Sequence, residues 1–113
     1  MKKPYYLVET ESKMQKIFLS DILYIGIVND RTTFQLTEGK KYTEKTLKEI
    51  ESLFPNYFFR ISRYYIINIF YISEFIKKDK IIILSNGDKL IVSQRRASKI
   101  CQFLRKMSII ENV

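Results

Sequence analysis

The chain of 113 residues contains no histidine. Histidine is the commonest general base near neutral pH and a frequent zinc ligand, so its absence removes Ser-His-Asp triads and most zinc sites. The single cysteine, Cys101, excludes a disulfide within the chain and fits a reducing compartment. The sequence also lacks a glycine-rich phosphate loop and a cluster of metal ligands. We therefore expect neither an enzyme nor a metal or cofactor site.

Long apolar runs are missing as well. The longest, from Tyr64 to Ile72, is interrupted by Asn68 and is too short to span a bilayer. The basic start, Met1 to Pro4, is not followed by the apolar core of a signal peptide. These features predict a cytoplasmic protein with no membrane partner, and the length predicts one domain over residues 1–113.

Basic residues are in excess and are unevenly distributed. The formal net charge is +8, from 20 basic and 12 acidic residues. Residues 1–59 contain nine basic and eight acidic residues, whereas residues 60–113 contain eleven and four. The C-terminal half is therefore the expected surface for a polyanion such as nucleic acid. A basic excess that only keeps a small protein in solution would have the same composition.

Short segments rich in strand-forming residues, separated by polar turns, occupy most of the chain. The predicted strands are Tyr5–Thr10, Lys16–Leu19, Ile22–Val28, Thr32–Leu36, Lys40–Tyr42, Tyr71–Ile76, Ile81–Leu84 and Lys89–Val92. Asn29-Asp30 indicates a turn, and Asn86-Gly87 predicts a hairpin in which both residues have positive φ. We expect Ile109–Val113 to fray.

Two segments follow the helical period instead. Apolar residues recur every three or four positions from Glu44 to Phe54, with Thr43 as the expected N-cap and Pro55 as the stop. The second helix is predicted from Gln94 to Met107, with Ser93 as N-cap. Its apolar stripe consists of Ala97, Ile100, Cys101, Leu104 and Met107.

The run from Tyr57 to Asn68, YFFRISRYYIIN, mixes large apolar side chains with arginines. The alternation predicts a half-buried strand or the corner between a strand and a loop. Because arginine is rarely buried without a partner, Arg60 either pairs inside the protein or reaches an external phosphate. Arg63 faces the same choice between a partner inside and a target outside.

This run resembles the FFRIHRSYIVN signature of the LytTR DNA-binding domain, the output module of many bacterial response regulators in two-component systems. Ser62 stands where the family usually has histidine, and Tyr64 where it has serine. The resemblance extends from about Tyr5 to Leu104 and includes further segments in the same order and spacing. These segments are Leu19–Ile25, Thr46–Ile50, Asn86–Gly87 and Val92–Arg96.

The resemblance implies a mainly β, elongated antiparallel fold of several sheets, with about ten strands, a short mid-chain helix and a C-terminal helix. It also implies sequence-specific binding of double-stranded promoter DNA, often at paired direct repeats, with loops in successive major grooves. A homodimer on the DNA is then expected. Family members usually carry a receiver domain, and none is found in this sequence. Either the gene encodes a bare DNA-binding protein, or the chain is a fragment of a longer regulator. In the first case, regulation would come from the amount of protein or from a protein partner.

The resemblance also suggests site residues. Arg63 and Arg95 match base-contacting positions, and Arg31, or Asn29 in its place, is the third candidate. Arginine suits this role because it can donate two hydrogen bonds to guanine. The candidates for phosphate contacts are Arg60, Ser62, Ser93, Gln94, Arg96, Lys99 and Lys106. For every cation in this set, plain solvation is the alternative.

Two other functions fit the same composition. One is a protein-interaction module in which Tyr64, Tyr65 and Tyr71 form an exposed contact patch and the basic half binds an acidic partner. The other is binding of single-stranded nucleic acid, with the same tyrosines as stacking platforms.

Overall fold

The computed structural model describes residues 3–110 and contains ten strands in three antiparallel sheets, with two α-helices. The strands are β1 Tyr5–Glu9, β2 Met14–Phe18, β3 Ile22–Val28, β4 Arg31–Leu36, β5 Lys40–Thr43, β6 Phe58–Arg60, β7 Tyr65–Asn68, β8 Ile72–Ile76, β9 Ile81–Leu84 and β10 Lys89–Ile91. The helices are α1 Leu47–Leu53 and α2 Gln94–Lys106. The molecule is elongated, at 54 × 36 × 25 Å, so the predicted fold class is confirmed. Of the end predicted to fray, residues 111–113 lie outside the described part.

A five-stranded sheet with the order β5-β4-β3-β7-β6 lies at the centre, and apolar clusters cover both of its faces. The first core packs Ile66 against α1 and the β1–β2 hairpin, and the second core packs Ile67 against the sheet β10-β9-β8 and α2. Successive side chains of a strand point to opposite faces. The apolar run Ile66-Ile67 is therefore continuous because each of its residues fills a different core.

Asn68 is a polar residue in this interior, with 2% of its surface exposed. Its side-chain amide donates to the carbonyls of Ile22, at 2.9 Å, and Leu19, at 3.5 Å. Its side-chain oxygen accepts from the N–H of Phe70 at 3.1 Å and caps a short 3₁₀ turn, Ile69–Tyr71. The asparagine that ends the signature run therefore satisfies backbone groups where β7 meets the segment before β3.

The two asparagine-containing turns differ from each other. Asn29 and Asp30 both have positive φ, at 50° and 62°, as a two-residue hairpin loop requires, so the turn predicted there is confirmed. At the second turn only Gly87 has positive φ, at 91°, and the expectation for Asn86 is wrong. The reason is loop length: residues 85–87 form a three-residue loop, which needs positive φ at its last position only.

The mid-chain helix begins later than its apolar period suggests. Its N-cap is Thr46, whose hydroxyl accepts from the N–H of Glu49 at 3.1 Å, while the Glu49 carboxylate accepts from the N–H of Thr46 at 3.1 Å. The prediction of Thr43 as N-cap is wrong because Thr43 is still part of β5 and pairs with Thr32. The reciprocal pair, a capping box, fixes the start of the helix at Leu47.

Helix α2 begins where predicted, with Ser93 at the N-cap, and ends at Lys106. Its predicted apolar stripe needs one correction. Met107 lies beyond the helix and is 53% exposed, whereas Phe103 packs on Phe59 with 5.7 Å between ring centroids. Among residues 3–110, no helix is both long and apolar enough to cross a membrane.

We predict that Asn68→Ala lowers the free energy of unfolding by about 1–3 kcal/mol, because it leaves buried backbone groups without partners. Urea denaturation followed by circular dichroism measures this change. Asn56→Ala is the control, since Asn56 is exposed in a turn, and it should change stability by less than ~0.5 kcal/mol. Equal effects of the two substitutions would contradict the role given to Asn68.

We predict that Thr46→Ala destabilises the protein by about 1 kcal/mol at neutral pH and that Thr46→Ser, which keeps the hydroxyl, has little effect. The pKa of Glu49 is lowered, chiefly by the backbone N–H of Thr46 and then by its hydroxyl. The stabilisation from Glu49 is therefore present above its unfolded pKa and lost as the pH falls through its folded pKa. The free energies of unfolding of wild type and Glu49→Ala, measured by urea denaturation, should converge as the pH is lowered. A difference that does not change with pH would contradict the role given to the Glu49 carboxylate.

Candidate nucleic-acid interface

A groove of about 850 Å³ is lined by residues of α1, of the turn between β6 and β7, of β10 and of the start of α2. We call residues 61–64 the β6–β7 turn. The groove is strongly basic, because six of its lining residues are basic and one, Glu51, is acidic. The basic residues are Lys48, Arg60, Arg63, Lys89, Arg95 and Arg96. A concave surface with this balance of charge attracts polyanions.

Backbone hydrogen bonds hold the β6–β7 turn in place. Ile61 is fully buried, and its N–H donates to the carbonyl of Tyr65 at 3.0 Å. Its carbonyl accepts from the N–H of Ser93 at 2.8 Å, which joins the turn to the start of α2. At the other end, the carbonyl of Tyr64 accepts from the N–H of Ile27 in β3 at 3.1 Å. The turn is thus fixed to both the central sheet and α2.

The two arginines of the signature run have different environments. Arg60 donates through Nε to the carbonyl of Ser62 at 2.6 Å, through Nη2 to the carbonyl of Arg63 at 3.0 Å, and through Nη1 to Glu51 at 3.1 Å. Arg60 is therefore paired inside the protein, which was one of the two expectations for it; the other was contact with an external phosphate. Arg63 is exposed, and its guanidinium lies 5.5 Å from the centroid of the Tyr64 ring. Only Arg63 therefore points a free cation into solvent at this turn.

The start of α2 presents its polar groups to the same groove. Ser93 occupies the N-cap position, but its side chain makes no capping hydrogen bond. Gln94 and Arg95 are exposed, while Arg96 is half-buried and donates to the carbonyl of Arg60 at 3.4 Å. Free N–H groups at a helix N-terminus carry a partial positive charge and bind phosphate readily.

Seven groove residues were not among the predicted DNA-contacting residues, namely Lys48, Glu51, Tyr64, Tyr65, Lys89, Leu90 and Ile91. Lys48 and Glu51 lie on the exposed side of α1. Lys89 and Ile91 flank the buried Leu90 in β10, and Ile91 is 69% exposed. The alternation in β10 signals its outward side chains, but their position beside the arginines follows from the sheet β10-β9-β8, which the sequence does not reveal.

The third base-contacting candidate does not line this groove. The Arg31 guanidinium lies 3.9 Å from the centroid of the Tyr42 ring, and Asn29 is exposed in the β3–β4 turn. This turn nevertheless lies at the same end of the central sheet as the β6–β7 turn, because β3 and β7 are antiparallel and Gly26 pairs with Tyr65. The candidate side chains therefore occupy neighbouring loops.

The remaining candidates lie along α2. Lys99 and Lys106 are both exposed and are seven positions apart, which places them on one side of the helix two turns apart. Neither lines the groove, so they extend the positive surface away from it.

The exposed tyrosine patch expected for the two alternative functions is not formed. Tyr64 is 53% exposed. Tyr65 is half-buried and packs edge-on against Tyr24, with 5.8 Å between centroids. Tyr71 is also half-buried, and its hydroxyl donates to the carbonyl of Ser20. The expectation is wrong for Tyr65 and Tyr71 because both rings pack against the second core.

A family model, related sequences and a solved structure all match this chain to LytTR-type proteins. The model of the LytTr DNA-binding domain matches residues 12–105. Transcriptional regulatory protein LytR of Staphylococcus aureus strain N315 is 36% identical over 91 residues, and so is that of strain MW2. The match covers 77% of this chain and 37% of each relative, so the chain spans little more than a third of their length.

Among solved structures, the LytTr DNA-binding domain of a protein described as a methyl-accepting/DNA response regulator from Bacillus cereus has the same fold. The TM-score is 0.75 at 23% identity, and the match covers 92% of this chain and 98% of that one. The family match covers most of the chain, from the β1–β2 hairpin to the last turn of α2. The chain therefore belongs to the LytTR family, which is a family of DNA-binding domains and not of enzymes.

Proposed function

We propose that this chain binds double-stranded DNA in a sequence-specific manner and serves as the DNA-binding part of a transcriptional regulator. The observation that carries this proposal is the basic groove between the β6–β7 turn and the start of α2. Six basic side chains line it, and backbone hydrogen bonds fix both segments to the fold. Family membership and the similarity to regulators named LytR support the same assignment.

Arg63 and Arg95 are the proposed base readers. Both are exposed, and the bond between Ser93 N–H and the Ile61 carbonyl links the segments that carry them. The major groove of B-DNA is ~12 Å wide and admits a turn of this size, in which arginine can donate two hydrogen bonds to guanine O6 and N7. Asn29 or Arg31, on the neighbouring β3–β4 turn, supplies a third contact.

The phosphate backbone is held by groups around these readers. The free hydroxyl of Ser93 and the exposed N-terminal turn of α2 with Gln94 suit one phosphate, and half-buried Arg96 lies beside them. Ser62 adds a small hydrogen-bonding group, and Lys99 and Lys106 extend the positive surface along α2. Arg60 contributes by holding the turn, because three of its five N–H donors bind Glu51 and the carbonyls of Ser62 and Arg63.

We propose further that regulation involves two copies on paired direct repeats. The proposed base readers of one copy lie on neighbouring loops at one end of the central sheet, so one copy contacts a limited stretch of DNA. A second copy on the next repeat would double the number of base contacts without a new protein surface.

The proposal is tested by selecting duplexes from a randomised pool and measuring fluorescence anisotropy with the selected duplex and a scrambled one. We expect the selected duplex to bind ~10³-fold tighter or more, with affinity falling steeply as salt rises. Equal affinity for both duplexes would contradict sequence-specific binding. Preference for single strands, or no binding at low salt, would favour the two alternative functions.

The same assay tests the residues. The double variant Arg63→Ala/Arg95→Ala should bind the selected duplex more weakly, by about 1–3 kcal/mol for each lost base contact. Its preference for the selected duplex over the scrambled one should also fall. Lys77→Ala with Lys78→Ala removes the same charge from an exposed turn outside the groove and is the matched control. It should affect both duplexes alike. Equal weakening of both duplexes by the arginine pair would show that these arginines do not read bases.

Substitution of the lysines of α2 should change DNA binding differently from substitution of the arginines. Lys99→Ala and Lys106→Ala should each weaken binding to every duplex and lower the slope of log K against log salt by ~1. Lys40→Ala is the control, since Lys40 starts β5 at the end of the central sheet opposite the β3–β4 turn, and it should leave the slope unchanged. A slope that Lys99→Ala and Lys106→Ala leave unchanged would remove these residues from the interface.

A further inference from the structure

Glu51 is the only acidic residue that lines the basic groove within the described part of the chain. A carboxylate at a surface that binds phosphates opposes binding, because like charges repel across such distances. Glu51 also lies near the C-terminal end of α1, where the helix dipole disfavours an anion. Neither DNA affinity nor helix stability explains its position.

The contacts of Glu51 offer an explanation. One carboxylate oxygen accepts from Arg60 Nη1 at 3.1 Å, and the other lies 3.9 Å from Arg96 Nη1. The Arg60 side chain is only 15% exposed, so its guanidinium is partly removed from water and its pairing matters more than that of a surface cation. Glu51 therefore bridges an arginine from β6 and an arginine from α2.

Both arginines in turn hold backbone groups at the interface. Arg60 donates to the carbonyls of Ser62 and Arg63, within the turn that presents the Arg63 side chain. Arg96 donates to the carbonyl of Arg60 and follows directly after Arg95 in the first turn of α2. One carboxylate thus orients the two guanidinium groups that connect the two base-reading segments.

We propose that Glu51 is a positioning residue that fixes the spacing between Arg63 and Arg95, so that it raises sequence preference while lowering affinity for DNA in general. This inference rests on the proposed function, because it assumes that these arginines read bases. It predicts opposite changes for two kinds of duplex when the charge is removed, whereas a purely electrostatic role predicts the same change for both.

The test is Glu51→Gln, which keeps the shape of the side chain and removes its charge, measured by anisotropy on the selected and scrambled duplexes. We expect affinity for the scrambled duplex to rise and affinity for the selected duplex to fall, with a loss of preference of ~10-fold, the size of one base contact. Glu74→Gln is the matched control, since Glu74 is exposed in β8 and does not line the groove. It should leave the preference unchanged.

Arg60→Lys separates positioning from charge. Lysine keeps the positive charge, but its single ammonium group cannot reproduce the three-way fork to Glu51 and the two carbonyls. We expect the preference to fall with no change in the salt dependence, and the double variant with Glu51→Gln to lose little more than either single variant. Urea denaturation of each variant verifies that the protein used in the assay is folded.

The outcomes distinguish the two proposals. A wild-type protein without preference for its selected duplex would overturn the proposed function and this inference with it. A wild-type protein with preference, together with a Glu51→Gln variant that binds both duplexes more tightly by the same factor, would overturn the inference alone. Unchanged preference in Arg60→Lys would do the same.

Discussion

The hydrogen bonds of the Ile61 backbone are the constraint on which the candidate interface depends. The side chain of Ile61 is fully buried in the second core, its N–H closes the β6–β7 turn onto Tyr65, and its carbonyl holds the N–H of Ser93. Buried hydrogen bonds meet little competition from water, so this link is rigid. The core therefore limits the distance between the backbone segments that carry Arg63 and Arg95, and the Glu51 bridge orients the guanidinium groups that connect those segments.

The central sheet explains how short loops can serve as a reading surface. Both faces of the sheet are covered, one by α1 and the β1–β2 hairpin and the other by the sheet β10-β9-β8 and α2. The strands that leave these cores deliver the β3–β4 and β6–β7 turns to one end of the sheet. Loops on a packed scaffold can carry function without large ordering costs. Arginine side chains supply most of the positive charge of the groove, and isoleucine packing holds the segments that carry them.

The sequence predicted the strands well because each has local signals, but it predicted only part of the lining of the basic groove. Thr43 and Thr46 both precede an apolar period, and only the capping box with Glu49 decides between them. Asn86-Gly87 is compatible with a hairpin loop of two or three residues. The bond from the N–H of Leu84 to the carbonyl of Asp88 sets the strand register that gives the three-residue loop. The partner of Arg60 could not be predicted, because the contact with Glu51 depends on how α1 packs beside the β6–β7 turn. The resemblance suggested Arg63 and Arg95 as the proposed base readers, but it did not indicate which contacts hold the segments that carry them.

An NMR titration of the ¹⁵N-labelled chain with its selected duplex would test most directly whether the β6–β7 turn and the start of α2 form the DNA-binding surface. The prediction is that amide shift changes concentrate at residues 61–64 and 91–96, with smaller changes at the β3–β4 turn. The β1–β2 hairpin, which covers the first core on the far side of the sheet from α2, should remain unchanged. Shift changes centred on the β1–β2 hairpin, with residues 61–64 and 91–96 unaffected, would contradict the proposed interface.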